Sequence, residues 1–433
     1  LHRLIRRQRQ MCIRDREQNM KTKTLFKNIS KLPNDALFAI KGRMDVDTRP
    51  HKVGLGIGAY RDNNGKPWIL PSVRKAEKII QSDPEYNHEY SNISGLDALR
   101  KHAARILFGD AFDCANRVVN VQSLSGTGAL HVSAKLLQTL SLSNRDVYFS
   151  DPTWNNHYQI FGKCGFNASK TYPYWNPADK KLDLQGFLST IASAEEGSLF
   201  VLHPCAHNPT GLDPTEEQWK QILEAIKQKN HLVLFDSAYQ GFATGSLAKD
   251  AYSIRLAIND ILKDYPILVC QSFAKNVGMY GERVGCVHLV LPETGYTQED
   301  KNAIQSQFNA VIRSECSTTP AYGAKVVATI LSDEDLYKQW SDDLITMSSR
   351  IIEMRHKLVA YLKELNTPGN WDHIATQVGM FSYTGLTVEQ VERMEKEHAV
   401  YLAPSGRASI AGLNDGNVEH VAKSIDEVVR FFA

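Results

Sequence analysis

Two residues of opposite charge stand where apolar runs end. Asp236 closes "HLVLFD", and Lys275 stands just beyond "PILVCQS". Both runs read as buried strands, and open α/β sheets offer their ligands the residues beyond the carboxyl ends of strands. An amine kept from water gives up its proton more readily, so it can act as nucleophile or base near neutral pH. A buried carboxylate stabilises a nearby cation. Each residue has a plainer reading: Lys275 as a loop lysine reaching for water, Asp236 as a turn residue. Other strand ends repeat the pattern. "VVNVQ" leads into "SLSGTGAL", which puts Ser125, Gly126 and Thr127 at a helix start. Backbone N–H groups and hydroxyls there suit a phosphate. "DVYFS" leads to Trp154, a core residue or a flat stacking platform. "SLFVL" leads to "HPCAHNPTG" with Asn208 in a Pro-Gly turn, and "FDSAYQGFA" adds Tyr239. Gly54, Gly56 and Gly58 in "VGLGIGAYRD" resemble a dinucleotide fingerprint. The required helix does not follow them, so a nicotinamide site is not expected.

The elements that must position these residues are legible. From about residue 118 to 291, β-rich runs alternate with helical stretches, which predicts an α/β layer structure. "TEEQWKQILEAIKQKN" reads as a helix with Thr215 and Gln218 in a capping box. Its Trp219, Ile222, Leu223 and Ile226 share one face. After about residue 335 a long amphipathic stretch, "DLYKQWSDDLITMSSRIIEMRHKLVAYLKEL", opens a smaller domain. The expected organisation is an extension at 1–19, an N-terminal arm at 20–34, a small domain from 35–68 and 336–433, and a large domain at 69–335.

Composition bounds the rest. The 433 residues are 42 % hydrophobic and 23 % charged, ordinary for a soluble enzyme. No apolar run approaches the roughly 20 residues of a membrane span. Seven cysteines, an odd number without metal-type spacing, predict reduced thiols in a cytosol-like compartment and no metal site. The net charge of +2 comes from residues 1–19, whose six arginines face only Asp15 and Glu17. That segment reads as a non-native or transit extension ahead of a natural start at Met20, and a nucleic-acid-binding arm is the weaker alternative.

Together, "HNPTG", "FDSAYQGFA" and "SFAKNVGMYGERVG" resemble the class I pyridoxal-phosphate aminotransferases. "GIGAYRD", "NHEY", "SLSGTGAL", "PTWNNH" and "SGRASIAGL" match the same family in the same order. The resemblance spans roughly Leu25 to Ala433 and is strongest to members acting on aspartate. It implies the fold-type I architecture, a large α/β domain with a mainly parallel sheet plus a smaller α+β domain. It implies ping-pong transfer of an amino group between L-aspartate and 2-oxoglutarate, giving oxaloacetate and L-glutamate. The expected assembly is a cytoplasmic homodimer with shared sites, or a mitochondrial one if residues 1–19 are a transit peptide.

The same resemblance implies residue roles. Lys275 holds pyridoxal 5'-phosphate covalently and shuttles the proton at the substrate Cα. Asp236 pairs with the pyridine nitrogen, Tyr239 and Asn208 bond the phenolic oxygen, and Trp154 stacks on the ring. Ser125, Gly126, Thr127, Ser272 and Arg283 bind the phosphate, with Tyr90 reaching it from the neighbouring subunit. Arg407 clamps the substrate α-carboxylate as a bidentate fork, helped by Asn208 and the Gly58 backbone. Arg313, from the neighbour, takes the distal carboxylate. One departure stands out: "IRSECSTTP" places Thr318 where the family usually has Asn, which leaves room for aromatic or broad specificity. A pyridoxal-phosphate-binding regulator fused to a DNA-binding module would need a helix-turn-helix, and residues 1–24 are too short for one.

Overall fold

A computed structural model describes residues 24–433; the expected extension, the Met20 start and Cys12 lie outside them. The chain forms two compact units, one ending at Ala39 and one spanning Ile40–Ala433. In the first, the Asp35 carboxylate accepts from the N–H groups of Leu37 and Phe38 at 2.9 and 3.2 Å.

The second unit is built on a seven-stranded sheet: β1 (Val118–Leu124), β2 (Val147–Asp151), β3 (Lys170–Pro173), β4 (Leu199–Leu202), β5 (Leu232–Ser237), β6 (Ile267–Ser272) and β7 (Val284–Val290). The spatial order is β1-β7-β6-β5-β4-β2-β3. Only β7 runs against its neighbours; the other pairings are parallel. These strands read as near-continuous apolar runs because both faces are covered. Phe200, Leu202, Val233, Phe235 and Val269 pack into one core. Their alternates Leu199, Val201, Leu234, Leu268 and Cys270 pack into the other. The expected helix is Glu216–Gln228, with its capping box formed and Trp219, Ile222, Leu223 and Ile226 buried. The long amphipathic stretch forms the helix Glu334–Glu364. Three further strand pairs lie in this unit: Val53–Gly54 with Val400–Tyr401, Phe381–Tyr383 with Arg407–Ser409, and Trp175–Asn176 with Lys181–Leu182.

Because β1, β2, β4, β5 and β6 point the same way, Ser125, Trp154, Asn208, Asp236 and Lys275 all follow strands at one edge of the sheet. Register tightens that edge locally. Gly285 of β7 stands opposite Ser272 of β6 and Ser123 of β1. A Cβ on Gly285 would lie 2.5 Å from the Gln271 carbonyl and 2.8 Å from Ser125 Cα. The missing side chain therefore lets the Ser125 turn settle over the sheet. Gly285→Ala should cost about 1–3 kcal/mol in urea unfolding. Gly281→Ala, whose Cβ would meet nothing within 4 Å, should change little. Equal stability of the two variants would show that the close approach at Gly285 can relax freely.

Candidate active site

The anion-binding corner comes first in the chain. Ser125 opens the helix Ser125–Thr139 with φ +60°, and no side chain caps that helix start. The first N–H groups of a helix have no intrahelical partner and carry the positive end of its dipole. Ser125 and Ser272 bring their hydroxyls to 2.9 Å. A Cβ on Gly126 would sit 3.2 Å from that of Ser272, so the glycine keeps the corner open. Thr127 follows on the first turn. Arg283 is half-buried in a left-handed turn at φ +55°, with its guanidinium 4.6 Å from the Tyr280 ring.

Lys275 is half-buried, its amine 4.6 Å from the Tyr280 ring centre and 5.7 Å from that of Tyr239. Its pKa is lowered from the ordinary 10.5 to about 8. Burial is the largest cause; the Arg283 and Arg407 charges push the same way, and Asp236 opposes them. Tyr239 is buried, and burial raises its hydroxyl pKa above the usual 10.

Asp236 is also buried, and its Oδ2 accepts from His157 Nε2 at 2.7 Å. The direction of the proton chain behind it follows from one fixed donor. The Asn208 N–H donates to His203 Nδ1 at 3.4 Å. Burial lowers the His203 pKa to about 3, so the ring is neutral and carries its proton on Nε2. That Nε2–H donates to Thr153 Oγ1 at 3.4 Å. The hydroxyl then donates to His157 Nδ1 at 2.8 Å, which leaves Nε2–H for the Asp236 carboxylate. His157, Thr153 and His203 were not singled out from the sequence. The available signal was "DPTWNNH", where Thr153 and His157 stand four apart beside the chosen Trp154. Trp154 is half-exposed and meets the His157 ring edge-on at 5.4 Å.

Arg407 lies at 5 % exposure, so its charge is inside the protein. Its fork donates to Asn208 Oδ1 at 3.2 Å and to the Gly56 carbonyl at 2.7 Å. It makes no ion pair among the described residues, and its buried Nε has no partner there. The guanidinium lies 4.2 Å from the Phe381 ring centre. Phe381 also occupies the space beside Gly58, where a Cβ would come to 2.4 Å from its ring. Phe381 is a second residue that the sequence reading passed over.

Two expected residues stand apart from this group. Tyr90 is 87 % exposed, and its side chain forms no contact with the site of its own chain among the described residues. Arg313 is exposed in the last turn of Gln298–Glu315 and donates to Ser317 Oγ. Thr318 follows Ser317, whose φ is +66°, and its N–H bonds the Cys316 carbonyl at 2.8 Å. The six described cysteines are free, and no metal-binding cluster occurs among the described residues.

The arrangement offers an anion cradle, a deprotonatable amine, a buried carboxylate and an unpaired guanidinium at one sheet edge. Comparison with known proteins places the chain in a family. Residues 50–425 match the family model for aminotransferase class I and II. A cytoplasmic aspartate aminotransferase of Saccharomyces cerevisiae is 60 % identical over 412 residues, covering 94 % of this chain and 98 % of the relative. A solved structure of the yeast cytoplasmic enzyme superposes with a TM-score of 0.92, covering 95 % of this chain and 100 % of that one. A broad-specificity aminotransferase from Leishmania mexicana, 40 % identical, gives 0.90 with 95 % and 99 % coverage.

The lowered amine has a consequence for stability. The unfolded chain binds the Lys275 proton up to pH 10.5 and the folded chain only up to about 8. Between those values the unfolded state holds more protons, so this residue makes stability rise with pH. Relative to Lys275→Met, wild-type protein without added cofactor should gain urea resistance from pH 8 to 10.5 and show a level difference below pH 7. A difference that stays level throughout would mean that the amine is not desolvated.

Proposed function

This chain belongs to the class I and II aminotransferase family, and from that premise we propose how its own residues carry out the transfer of an amino group between aspartate and 2-oxoglutarate. The protein is a pyridoxal-phosphate-dependent aspartate transaminase, an enzyme of the fold-type I architecture. The observation that carries the residue assignment is the Lys275 amine, lowered to about 8 between Asp236 and two arginines.

The residues fit pyridoxal phosphate by the chemistry of their donors. The open corner formed by Ser125, Gly126, Thr127, Ser272 and Arg283 suits a dianion. The Asp236 carboxylate, with a histidine proton on one oxygen, suits a pyridinium N–H. When bound, the cofactor supplies a carbonyl carbon for the amino group and a protonated ring that draws electrons from the substrate Cα. Lys275 Nζ would hold the cofactor and, as a neutral amine, would take and return the proton at the substrate Cα. Asp236 would hold the proton on the ring nitrogen, and the hydrogen bond from His157 orients its carboxylate. Tyr239 and Asn208 would donate to the ring's phenolic oxygen, and Trp154 would stack against the ring. Arg407, with no carboxylate of its own chain, takes the substrate α-carboxylate beside Asn208 and the Gly58 backbone.

The assembly belongs to the proposal too. The exposure of Tyr90 and Arg313 supports a homodimer in which each reaches the neighbour's site, Tyr90 for the phosphate and Arg313 for the distal carboxylate. The strand pairs Val53–Gly54 with Val400–Tyr401 and Phe381–Tyr383 with Arg407–Ser409 support the division into a small domain (35–68 with 336–433) and a large one (69–335). The yeast relative's cytoplasmic naming supports the same compartment here. A broader substrate range is the second reading, favoured by Thr318 and the Leishmania mexicana structure.

Two measurements test these roles. Asp236→Ala should abolish most turnover while Asp236→Glu keeps part of it, since a desolvated ion pair is worth a few kcal/mol; equal activities would reduce Asp236 to a turn residue. Arg313→Leu should cost roughly 2–5 kcal/mol for dicarboxylic substrates, about 30- to 5,000-fold in kcat/KM, and little for phenylalanine. Heterodimers of Arg313→Leu with Lys275→Ala chains should recover aspartate turnover, because one site then combines both native residues. Verified heterodimers without recovery would put Arg313 outside the shared site.

A further inference from the structure

Arg355 is a buried charge that this reaction scheme leaves unused. It lies at 1 % exposure in the helix Glu334–Glu364 and forms no ion pair among the described residues. Neutral groups take its protons instead. Nη1 donates to the Ile374 carbonyl at 3.0 Å and Ser382 Oγ at 3.2 Å. Nη2 donates to the carbonyls of Gly379 and Phe381 at 2.7 and 2.6 Å. Burial lowers its pKa to about 9 against the attraction of Asp213. A guanidinium buried without a counter-ion is costly, and here every acceptor comes from one short stretch, residues 374–382.

That stretch supports the substrate-binding groups from three directions. Tyr383 stands opposite Arg407 in the strand pair, so the stretch sets the register of the arginine. The Phe381 ring lies against the Arg407 guanidinium at 4.2 Å and meets Tyr239 edge-on at 5.6 Å. At the other end, the Val378 N–H donates to the Gly211 carbonyl at 2.7 Å. A Cβ on Gly379 would lie 2.5 Å from that of Ala206, and one on Gly211 would lie 2.4 Å from the Phe381 carbonyl. The turn carrying Asn208 is thus pressed against the stretch that Arg355 holds.

We propose that Arg355 is a positioning residue for substrate recognition: through the 374–382 carbonyls and the Phe381 ring it sets the Arg407 fork and the Asn208 turn for the α-carboxylate. This rests on the reading of Arg407 as the α-carboxylate site. Lysine cannot replace it, because an ammonium is a point charge and cannot span four acceptors in one plane.

The test uses cofactor-loaded enzyme carrying Arg355→Lys or Phe381→Leu. KM and kcat are measured for aspartate and 2-oxoglutarate. The Kd of succinate, a dicarboxylate without an amino group, is read from the cofactor's absorption change. Arg355→Lys should raise both KM values and the succinate Kd about 10- to 100-fold, the scale of an ångström-sized misplacement, with a smaller loss in kcat. Phe381→Leu keeps Arg355 and removes only the ring, and should shift KM and Kd the same way by less. Arg355→Lys with a lower Tm but wild-type KM and Kd would overturn the proposal, leaving a purely structural role. If Arg355→Lys does not fold, Phe381→Leu decides: unchanged KM and Kd overturn it. Failure of the underlying reading looks different, since Arg407→Lys would then leave KM and succinate Kd unchanged.

Discussion

Positive charge held inside the protein without a carboxylate of its own is the constraint on which this site depends. Arg407 and Arg355 are both buried, and among the described residues the partners of both are carbonyl, amide or hydroxyl oxygens, each with a buried Nε left over. Neutral dipoles offset part of the desolvation cost without cancelling the charge. A carboxylate arriving from outside therefore meets a guanidinium for which no carboxylate of the described residues competes. Lys275 feels the same field: Arg283 and Arg407 add to its burial in lowering its pKa. In the proposed roles, one arrangement of charge thus prepares the substrate's anchor and frees the base.

The negative side of the site is stabilised in the opposite manner. A directed chain, from the Asn208 N–H through His203, Thr153 and His157, ends with a proton offered to the Asp236 Oδ2. The chain begins at the residue that also accepts from Arg407. Asn208 therefore links Arg407 to the chain that ends at Asp236. A change in its turn would disturb both ends, which explains why that turn is pinned by glycines with no space for a Cβ.

The sequence made the scaffold legible because its signals are local. The capping box of Thr215 and Gln218, the apolar strand runs and the polar residues beyond them are each readable within a dozen positions. The residues that went unread have partners far away in the chain. His157 meets Asp236 across 79 positions, and the Phe381 ring meets Arg407 only through a strand pairing. Arg355 left one trace: it interrupts an apolar stripe between Ile351 and Leu358 on a long helix, where a charge has no local reason to stand. A charged residue on a buried helix face is a signal, but only tertiary structure tells which backbone it serves.

The two arginines proposed to bind the substrate's carboxylates differ in the freedom that their surroundings allow. Arg407 is fixed by strand pairing, by the Gly56 carbonyl and by an aromatic ring, so altering its position means altering the interior. Arg313 stands on an exposed helix end, followed by a left-handed Ser317 and by Thr318, where a substitution disturbs little packing. On the proposed roles, recognition of the α-carboxylate, common to all amino acids, is thus built into the core. On the same proposal, recognition of the side chain falls to a residue of the neighbouring subunit, Arg313, which lies close in the chain to the half-buried Thr318.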